Sequence, residues 1–302
     1  MSQNLNPQQH AALKYIDGPL LVLAGAGSGK TSVITRKIAY LVEKCGIPAR
    51  NIAAVTFTNK AAREMKARVS TLLGKSEGKG LKVSTFHNLG LTIIRTEIKA
   101  LGFKPGFSIL DQEDCKNLLK ELLVRNTELG EKLIDTAQNT ISNWKNGLLE
   151  PHQTANASNS TGEQAIAMLY ERYQRALKAY NAVDFDDLIM IPVLLFRSQP
   201  EVLAKWQRRI RYLLVDEYQD TNLAQYELVK TLVNEKQALT VVGDDDQSIY
   251  AWRGARPENL MQLQEDFPAL NIIKLEQNYR STGRILKAAN TLIDNNPHLI
   301  SK

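Results

Sequence analysis

The sequence LLVLAGAGSGKTSVITRKIAYLVEK, residues 20–44, decides the fold. Its apolar start, residues 20–23, is typical of a buried strand, and a glycine-rich segment joins this strand to an amphipathic helix. Along that helix the apolar positions Ile34, Ile38, Leu41 and Val42 recur at the spacing of one helix face. A strand, a glycine-rich turn and a helix in this order predict a loop that binds phosphate groups.

The loop follows the pattern GxxxxGK[ST], with Ala24 in place of the first glycine. We expect the backbone N–H groups of the glycine-rich turn to surround a polyphosphate, and the dipole of the following helix to add to the attraction. Lys30 can reach the outer phosphates of a nucleoside triphosphate, and Thr31 can bind Mg²⁺. The predicted nucleotide-binding set is Ala24, Gly25, Ala26, Gly27, Ser28, Gly29, Lys30 and Thr31. A strand–helix turn without a ligand is the alternative.

Composition indicates a cytoplasmic protein with two or three structural units. The chain has 302 residues, of which 43% are hydrophobic, and a formal net charge of +6. No apolar run approaches the roughly 20 residues that span a bilayer, and the polar N-terminus does not resemble a signal peptide. Cys45 and Cys115 lack the spacing of metal ligands, so we expect reduced thiols. The positive charge weakly favours a polyanionic partner.

Strand and helix patterns alternate at both ends of the chain but not in the middle. Predicted strands lie at residues 20–23, 51–58, 81–87, 212–215, 239–243 and 272–275, and a helix at 60–73. The region 89–197 is mainly helical without clear strands, with Asp111 capping one helix and the polar run 153–161 as the best loop. This pattern predicts an α/β fold whose parallel sheet is interrupted by an all-helical insertion.

Two acids follow the strand at 212–215. Asp216 and Glu217 are placed at the carboxyl end of a sheet strand, where ligands of α/β folds bind. Asp216 is a natural ligand for Mg²⁺, and Glu217 can orient and deprotonate an attacking water. A solvated acidic strand end is the alternative, but the nearby phosphate-binding loop favours a hydrolytic pair.

A third polar strand end is the segment LTVVGDDDQSIYAWRGA, residues 239–255. Gln247 is placed to sense the terminal phosphate. An aromatic and basic cluster follows at Tyr250, Trp252 and Arg253, and such residues bind single-stranded nucleic acid by base stacking. Taken alone, the two aromatic residues fit a protein core as well.

Taken together, the motifs resemble those of superfamily 1 DNA helicases of the UvrD/PcrA/Rep family. They are LNPQQ (5–9), AGAGSGKT (24–31), AVTFTNKAAREM (54–65), STFH (84–87), DFDDL (184–188), LLVDEYQDT (213–221), VVGDDDQSIYAWRGA (241–255) and LEQNYRS (275–281). The resemblance implies an ATP- and Mg²⁺-dependent 3′-to-5′ helicase or translocase. It would act on single-stranded DNA and on junctions with duplex DNA, in replication or repair. Self-association and contacts with replication or repair proteins are further expectations.

The resemblance also implies residue roles. Gln9 would recognise the adenine edge, Tyr279 would stack on the adenine, and Arg280 would act as an arginine finger. Lys30, Glu217, Gln247 and Arg280 would form the catalytic set, with Thr31 and Asp216 at the metal. The implied DNA contacts are Phe57, Asn59, His87, Tyr250, Trp252 and Arg253. From the residues alone, Phe57 and His87 also fit core positions and Arg280 a surface arginine.

The resemblance further implies RecA-like cores with ATP between them. It divides the chain into a first core at 1–88 and 198–278, a helical insertion at 89–197, and the start of a truncated second RecA-like core at 279–302. The sequence leaves two other hypotheses open. One is a truncated module that binds ATP and single-stranded DNA without unwinding activity, and the other is a helicase-like subunit of a recombination nuclease.

Overall fold

The computed structural model describes residues 5–74, 76–123, 130–157, 160–251, 254–293 and 295. The chain divides into two compact units. Unit 1 comprises Met1–Phe86, Pro200–Asn222 and Val229–Lys302, and unit 2 comprises His87–Gln199 and Leu223–Leu228. The predicted start of a second core at residue 279 stays a prediction.

Strands and helices alternate along much of the described chain. The strands are β1 (Leu20–Ala24), β2 (Ile52–Thr56), β3 (Lys82–Thr85), β4 (Ser108–Ile109), β5 (Ala182–Val183), β6 (Tyr212–Val215), β7 (Leu239–Gly243) and β8 (Asn271–Leu275). The helices are α1 (Pro7–Lys14), α2 (Lys30–Glu43), α3 (Asn59–Leu72), α4 (Phe86–Thr96), α5 (Gln112–Leu122), α6 (Gly130–Asn146), α7 (Pro151–Ala157), α8 (Thr161–Ala179), α9 (Asp187–Ser198), α10 (Pro200–Arg209), α11 (Leu223–Leu232), α12 (Asn259–Asp266) and α13 (Gly283–Ile293). Among these described helices, none is long and apolar enough to cross a membrane.

Unit 1 is built on a parallel sheet, which confirms the predicted α/β class. In the described residues the sheet has six strands in the order β3-β2-β6-β7-β1-β8, and every neighbouring pair runs parallel. Strands β2, β6 and β7 are buried at every position, as expected for central strands covered on both faces. The predicted apolar face of α2 is also confirmed, since Ile34, Ile38 and Leu41 lie in the core.

Unit 2 is mainly helical, and its core is formed by α5, α6 and α8. The predicted cap of α5 is confirmed, because the Asp111 carboxylate accepts hydrogen bonds from the backbone N–H groups of Glu113 and Asp114, both at 2.9 Å. The all-helical prediction is wrong in one respect. Strands β4 and β5 form a short parallel pair, which is too short to leave a periodic pattern in the sequence.

Two further boundaries differ from the sequence predictions. The predicted strand at 81–87 ends at Thr85, and helix α4 begins at Phe86. The predicted loop at 153–161 is wrong over its first part, because residues up to Ala157 belong to α7. Residues 158 and 159 lie outside the described residues. Within α7, Thr154 is fully buried and donates a hydrogen bond to the Pro151 carbonyl, and a polar composition does not reveal this burial.

The DFDDL motif contributes acids to a buried ion cluster in unit 2. The Lys145 ammonium lies 2.7 Å from Asp184 and 2.8 Å from Asp187, with no exposed side-chain surface. Burial alone would lower the pKa of Lys145, but the two carboxylates outweigh it and raise the pKa. Tyr173 also donates to Asp184 at 3.0 Å. These contacts give the motif a structural role, since a buried carboxylate needs a cation and hydrogen-bond donors.

We predict that Lys145→Met destabilises the protein by about 3–5 kcal/mol, because it leaves two buried carboxylates without their cation. Urea unfolding with an unchanged m-value measures the loss. The matched control is Lys178→Met on exposed α8 surface, which we expect to change stability by less than about 0.5 kcal/mol. Equal stability of the two variants would contradict a paired, buried Lys145.

Candidate nucleotide-binding site

The phosphate-binding loop lies between β1 and α2 in the conformation that the glycines predict. Gly27 and Gly29 have positive φ angles of 73° and 90°. A Cβ on Gly27 would lie 2.7 Å from the Cβ of Arg280, and one on Gly29 would lie 2.8 Å from Nε2 of Gln9. Both positions therefore favour glycine for their backbone angle, and Gly27 requires it for space as well. Within the described residues no side chain caps α2 at Gly29, so its first N–H groups are available to an anion.

The segment 277–281 lies against this loop. The Tyr279 N–H donates to the Gly27 carbonyl at 2.9 Å, and the Asn278 side-chain amide donates to the Ala26 carbonyl. The Asn278 side-chain oxygen accepts from the N–H groups of Arg280 and Ser281, both at 2.8 Å. The Tyr279 ring is 52% exposed and the Arg280 side chain is also exposed. Asn278, which is absent from the predicted site residues, therefore holds two of them beside the loop.

Gln9 is buried against the same loop. Its side-chain Nε2 donates to the Ser28 carbonyl at 2.9 Å, and its Oε1 accepts from the Asn6 N–H at 3.1 Å. The second bond is half of a capping box that starts α1. Buried Lys37 of α2 donates to the Ala12 carbonyl at 2.8 Å and so ties α1 to the loop helix. With these contacts among the described residues, the Gln9 amide keeps one donor and one acceptor position for a ligand.

The two acids after β6 lie beside the loop lysine. The Lys30 ammonium is 3.3 Å from Oε2 of Glu217, which also accepts from Nε2 of Gln219 at 2.9 Å. Glu217 has a left-handed backbone with φ 52° and ψ 46°, an unusual conformation for a residue other than glycine. The Asp216 N–H donates to the Val55 carbonyl of β2 at 2.9 Å. The end of β6 therefore holds both acids by backbone as well as side-chain contacts.

The site holds more negative than positive charge near its centre. Asp216 is 5% exposed, and burial, with a further contribution from Glu217, raises its pKa to about 7 against the opposing effect of Lys30. Burial and Glu217 also raise the pKa of Asp220 to about 6. The Oδ1 atom of Asp220 is buried and has no hydrogen-bond partner among the described residues. A bound cation would relieve this repulsion.

The end of β7 brings Gln247 to the same edge. Asp244 follows β7, its backbone N–H donates to Oε1 of Gln219 at 3.0 Å, and its carboxylate accepts from the Gln247 side chain. Gln219, buried with 1% exposure, thus touches the ends of both β6 and β7. Gln219 lies within the sequence DEYQD, but its contacts become visible only once the structure shows that β6 and β7 are neighbouring strands.

Phe57 and Tyr250 form a parallel aromatic pair in unit 1. Their ring centroids are 6.4 Å apart and their planes differ by 7°. Both side chains are half-buried, and Asn59, the first residue of α3, is exposed. Trp252 and Arg253, which the sequence predicts to belong to the same cluster, lie outside the described residues.

His87 belongs to unit 2, where its ring meets that of Phe185 edge to face at 6.0 Å. Phe185 is 52% exposed and is absent from the predicted site residues, although it lies within DFDDL. Burial lowers the pKa of His87, so the neutral ring is favoured and it can act through hydrogen bonds or ring contact.

The described residues include no cluster of three or more His, Cys, Asp or Glu side chains that could hold a metal by themselves. Mg²⁺, however, is commonly held by one or two carboxylates together with substrate phosphates and water. Asp216 beside the loop fits that donor set, with Thr31 at the start of α2. Of the predicted nucleotide-site residues, the structure brings Gln9, residues 24–31, Asp216 and Glu217 to one edge of the sheet with Gln247, Tyr279 and Arg280.

We predict that Asp216→Asn stabilises the metal-free protein, because it removes a charge that burial disfavours. A raised folded-state pKa means that the carboxyl group costs stability as it ionises. The gain should be small below pH 4, grow to about pH 7 and stay constant above, at an order of about 1–4 kcal/mol. Thermal unfolding from pH 3 to 9 measures it. Exposed Asp17→Asn is the control, and a gain independent of pH would contradict the assignment.

The chain matches known helicase sequences over most of its length. Residues 5–268 match the model of the UvrD/REP helicase N-terminal domain. The chain is 59% identical over 298 residues to the ATP-dependent DNA helicase Rep of Escherichia coli, a match that covers 99% of this chain and 44% of that protein. It is 51% identical to Rep of Buchnera aphidicola, over 99% of this chain and 46% of that protein. It is 48% identical to the ATP-dependent DNA helicase PcrA of Bacillus subtilis, over 97% of this chain and 40% of that protein.

The chain therefore spans less than half the length of these relatives. The match to the family model nevertheless covers most of the chain and includes the phosphate-binding loop, the acids after β6 and the turn after β7. By its sequence and by the geometry of this site, the chain belongs to the UvrD/REP helicase family, as an N-terminal domain.

Proposed function

We propose that the chain supplies the ATP-binding part and part of the DNA-binding surface of an ATP-dependent DNA helicase that moves 3′ to 5′ on single-stranded DNA. The observation that carries the proposal is the phosphate-binding loop, closed by residues 277–281 and facing Lys30, Asp216 and Glu217. Family membership and the names of the relatives support it. Replication or repair is the proposed context.

Gln9 and Tyr279 form the proposed adenine site. The remaining donor and acceptor of the Gln9 amide match the N7 acceptor and N6 donor of adenine, a pairing that Gln also makes with adenine in DNA. The exposed Tyr279 ring is anchored by its backbone bond to Gly27 and by a 2.9 Å bond that its hydroxyl accepts from Asn6. An anchored ring can stack on a base with little loss of side-chain entropy.

Lys30, Thr31 and Asp216 are the proposed holders of the triphosphate and of Mg²⁺. When bound, Mg²⁺ would neutralise phosphate charge and the excess carboxylate charge of the site. Lys30 would exchange Glu217 for a phosphate oxygen. Glu217, released from Lys30 but still bonded to Gln219, would accept a proton from the attacking water. Gln247 would contact the terminal phosphate, and Arg280 would stabilise charge that develops on it.

Phe57 and Tyr250 form the proposed base-stacking slot for single-stranded DNA. The two rings are nearly parallel, with centroids 6.4 Å apart, and aromatic faces of this kind can stack on bases of any sequence. Asn59 is exposed and lies two positions after Phe57 in the sequence. Asn59, Trp252 and Arg253 are further proposed DNA-contacting residues. In unit 2, His87 and exposed Phe185 offer a second ring surface for a base.

We predict that Lys30→Ala weakens binding of an ATP analogue at least about tenfold, whereas Glu217→Gln binds it as well as the parent. Lys30 would contact phosphate, but Glu217 would contact the attacking water. Fluorescence titration with a non-hydrolysable analogue and Mg²⁺ measures both affinities. Exposed Lys66→Ala on α3 is the charge-matched control. Unchanged affinity in Lys30→Ala would remove the loop lysine from the nucleotide site.

The proposed activity is tested by strand displacement with ATP, using duplexes that carry either a 3′ or a 5′ single-stranded tail. We expect the protein that contains this chain to unwind the 3′-tailed duplex, with ATP hydrolysis stimulated by single-stranded DNA. Binding of ATP and DNA without unwinding of either duplex would instead favour the binding-module hypothesis. Preferential unwinding from the 5′ tail would overturn the proposed direction.

A variant of the stacking slot tests the proposed contact with single-stranded DNA. Phe57→Ala should weaken binding of single-stranded DNA by about 1–3 kcal/mol with little dependence on base sequence. Tyr180→Ala removes an equally aromatic side chain that is 63% exposed, and it should bind DNA as the parent does. A Phe57→Ala protein with parental DNA affinity but reduced thermal stability would make Phe57 a core residue.

A further inference from the structure

Gln219 connects the ends of two neighbouring strands through a single buried amide. Its Nε2 donates to Oε2 of Glu217 at 2.9 Å, and its Oε1 accepts from the Asp244 N–H at 3.0 Å. The fit is close, because a Cβ on Gly243 would lie 2.9 Å from the same Oε1. The two hydrogen bonds leave from opposite corners of one planar group, so a shift at either end reorients the amide at the other.

The Asp244 end of this connection continues into the aromatic segment. Asp244 accepts hydrogen bonds from the Gln247 side chain, from the Gln247 N–H at 3.1 Å and from the Asp246 N–H at 3.3 Å. These bonds shape the turn at 245–247, which leads within three residues to Tyr250. The Tyr250 ring in turn lies parallel to Phe57. These contacts form a continuous path from Asp244 to the proposed base-stacking slot.

The Glu217 end of the connection responds to the nucleotide. Oε2 of Glu217 accepts from both Lys30 and Gln219 in this structure. If Lys30 turns to a phosphate, Oε2 of Glu217 loses one of its two donors. The bond from Gln219 then strengthens, because it no longer shares this charged oxygen with an ammonium. Gln219 is buried among the strand ends, so water cannot readily replace it.

We propose that Gln219 is a positioning residue that carries the nucleotide state of the site from Glu217 to Asp244 and the Phe57–Tyr250 slot. It thereby couples binding of ATP to binding of single-stranded DNA. This inference rests on the proposed function. Such coupling is reciprocal, so each ligand changes the affinity of the other by the same factor.

The test measures this factor in the purified chain and in Gln219→Met, which keeps side-chain length but removes both hydrogen bonds. Affinity for an oligothymidylate is titrated with and without a non-hydrolysable ATP analogue and Mg²⁺. We expect the analogue to change parental affinity about fivefold or more, within the usual range for coupled sites, and that of Gln219→Met by less than about twofold. The affinity of Gln219→Met for each ligand alone should stay within about threefold of the parental value.

Two further variants separate coupling from general stability. Gln207→Met removes an amide that donates to the Thr231 and Val233 carbonyls at 2.9 and 3.1 Å, away from the loop, and should keep the parental factor. Gln219→Glu keeps the acceptor for Asp244 but donates to Glu217 only when protonated. The coupling factor of Gln219→Glu is compared with that of the parent at each pH, and we expect it to approach the parental value as the pH falls. A merely structural role of Gln219 would not produce this pH dependence.

The possible outcomes distinguish the inference from the proposed function. A parental factor in both Gln219→Met and Gln219→Glu overturns the inference, as does a parent that binds both ligands without mutual effect. If Gln219→Met fails to fold, the pH dependence of Gln219→Glu decides. A folded parent that binds neither ligand contradicts the proposed function itself.

Discussion

The parallel direction of the strands in the main sheet is the constraint on which the candidate site depends. Because β1, β2, β6 and β7 all run the same way, their carboxyl ends meet at one edge. The residues that follow those ends are the phosphate-binding loop, Phe57, the Asp216–Glu217 pair and Asp244. Segments that are distant in sequence thus become neighbours because they follow adjacent strands, and no direct contact between each pair of segments is needed. The apolar packing of the buried strands therefore determines where the polar residues of the site come together.

The electrostatics of this edge follow from the same burial. Burial of these strand ends excludes water, and it raises the pKa values of Asp216 and Asp220. In this structure the Lys30 ammonium forms an ion pair with the Glu217 carboxylate. A polyphosphate that draws Lys30 away must therefore bring its own cation or leave several carboxylates unopposed, which supports the proposal that the nucleotide binds together with Mg²⁺.

The sequence predicts those features whose physical cause is local. The apolar run before a glycine-rich turn locates β1 and the loop, and Asp111 locates the start of α5, because each depends on neighbouring residues. The sequence predicts a loop in place of α7 because its polar residues hide the burial of Thr154, which depends on the rest of unit 2. Strands β4 and β5 are too short to show a period. Local patterns assign no contacts to Gln219 and Asn278, since their partners lie on other segments.

The proposed adenine side of the candidate site illustrates the limit of local reasoning most clearly. Asn6 and Tyr279, which are 273 positions apart, are joined by a hydrogen bond of 2.9 Å, and both flank the same loop. Closing so long a loop costs chain entropy that one hydrogen bond does not repay. The contact must instead rest on β8, whose pairing with β1 delivers residues 277–281 to the loop, and on Lys37, which fixes α1. Completion of the sheet is therefore a precondition for the proposed base-binding side of the site, whereas the phosphate-binding loop itself is formed by the contiguous segment between β1 and α2.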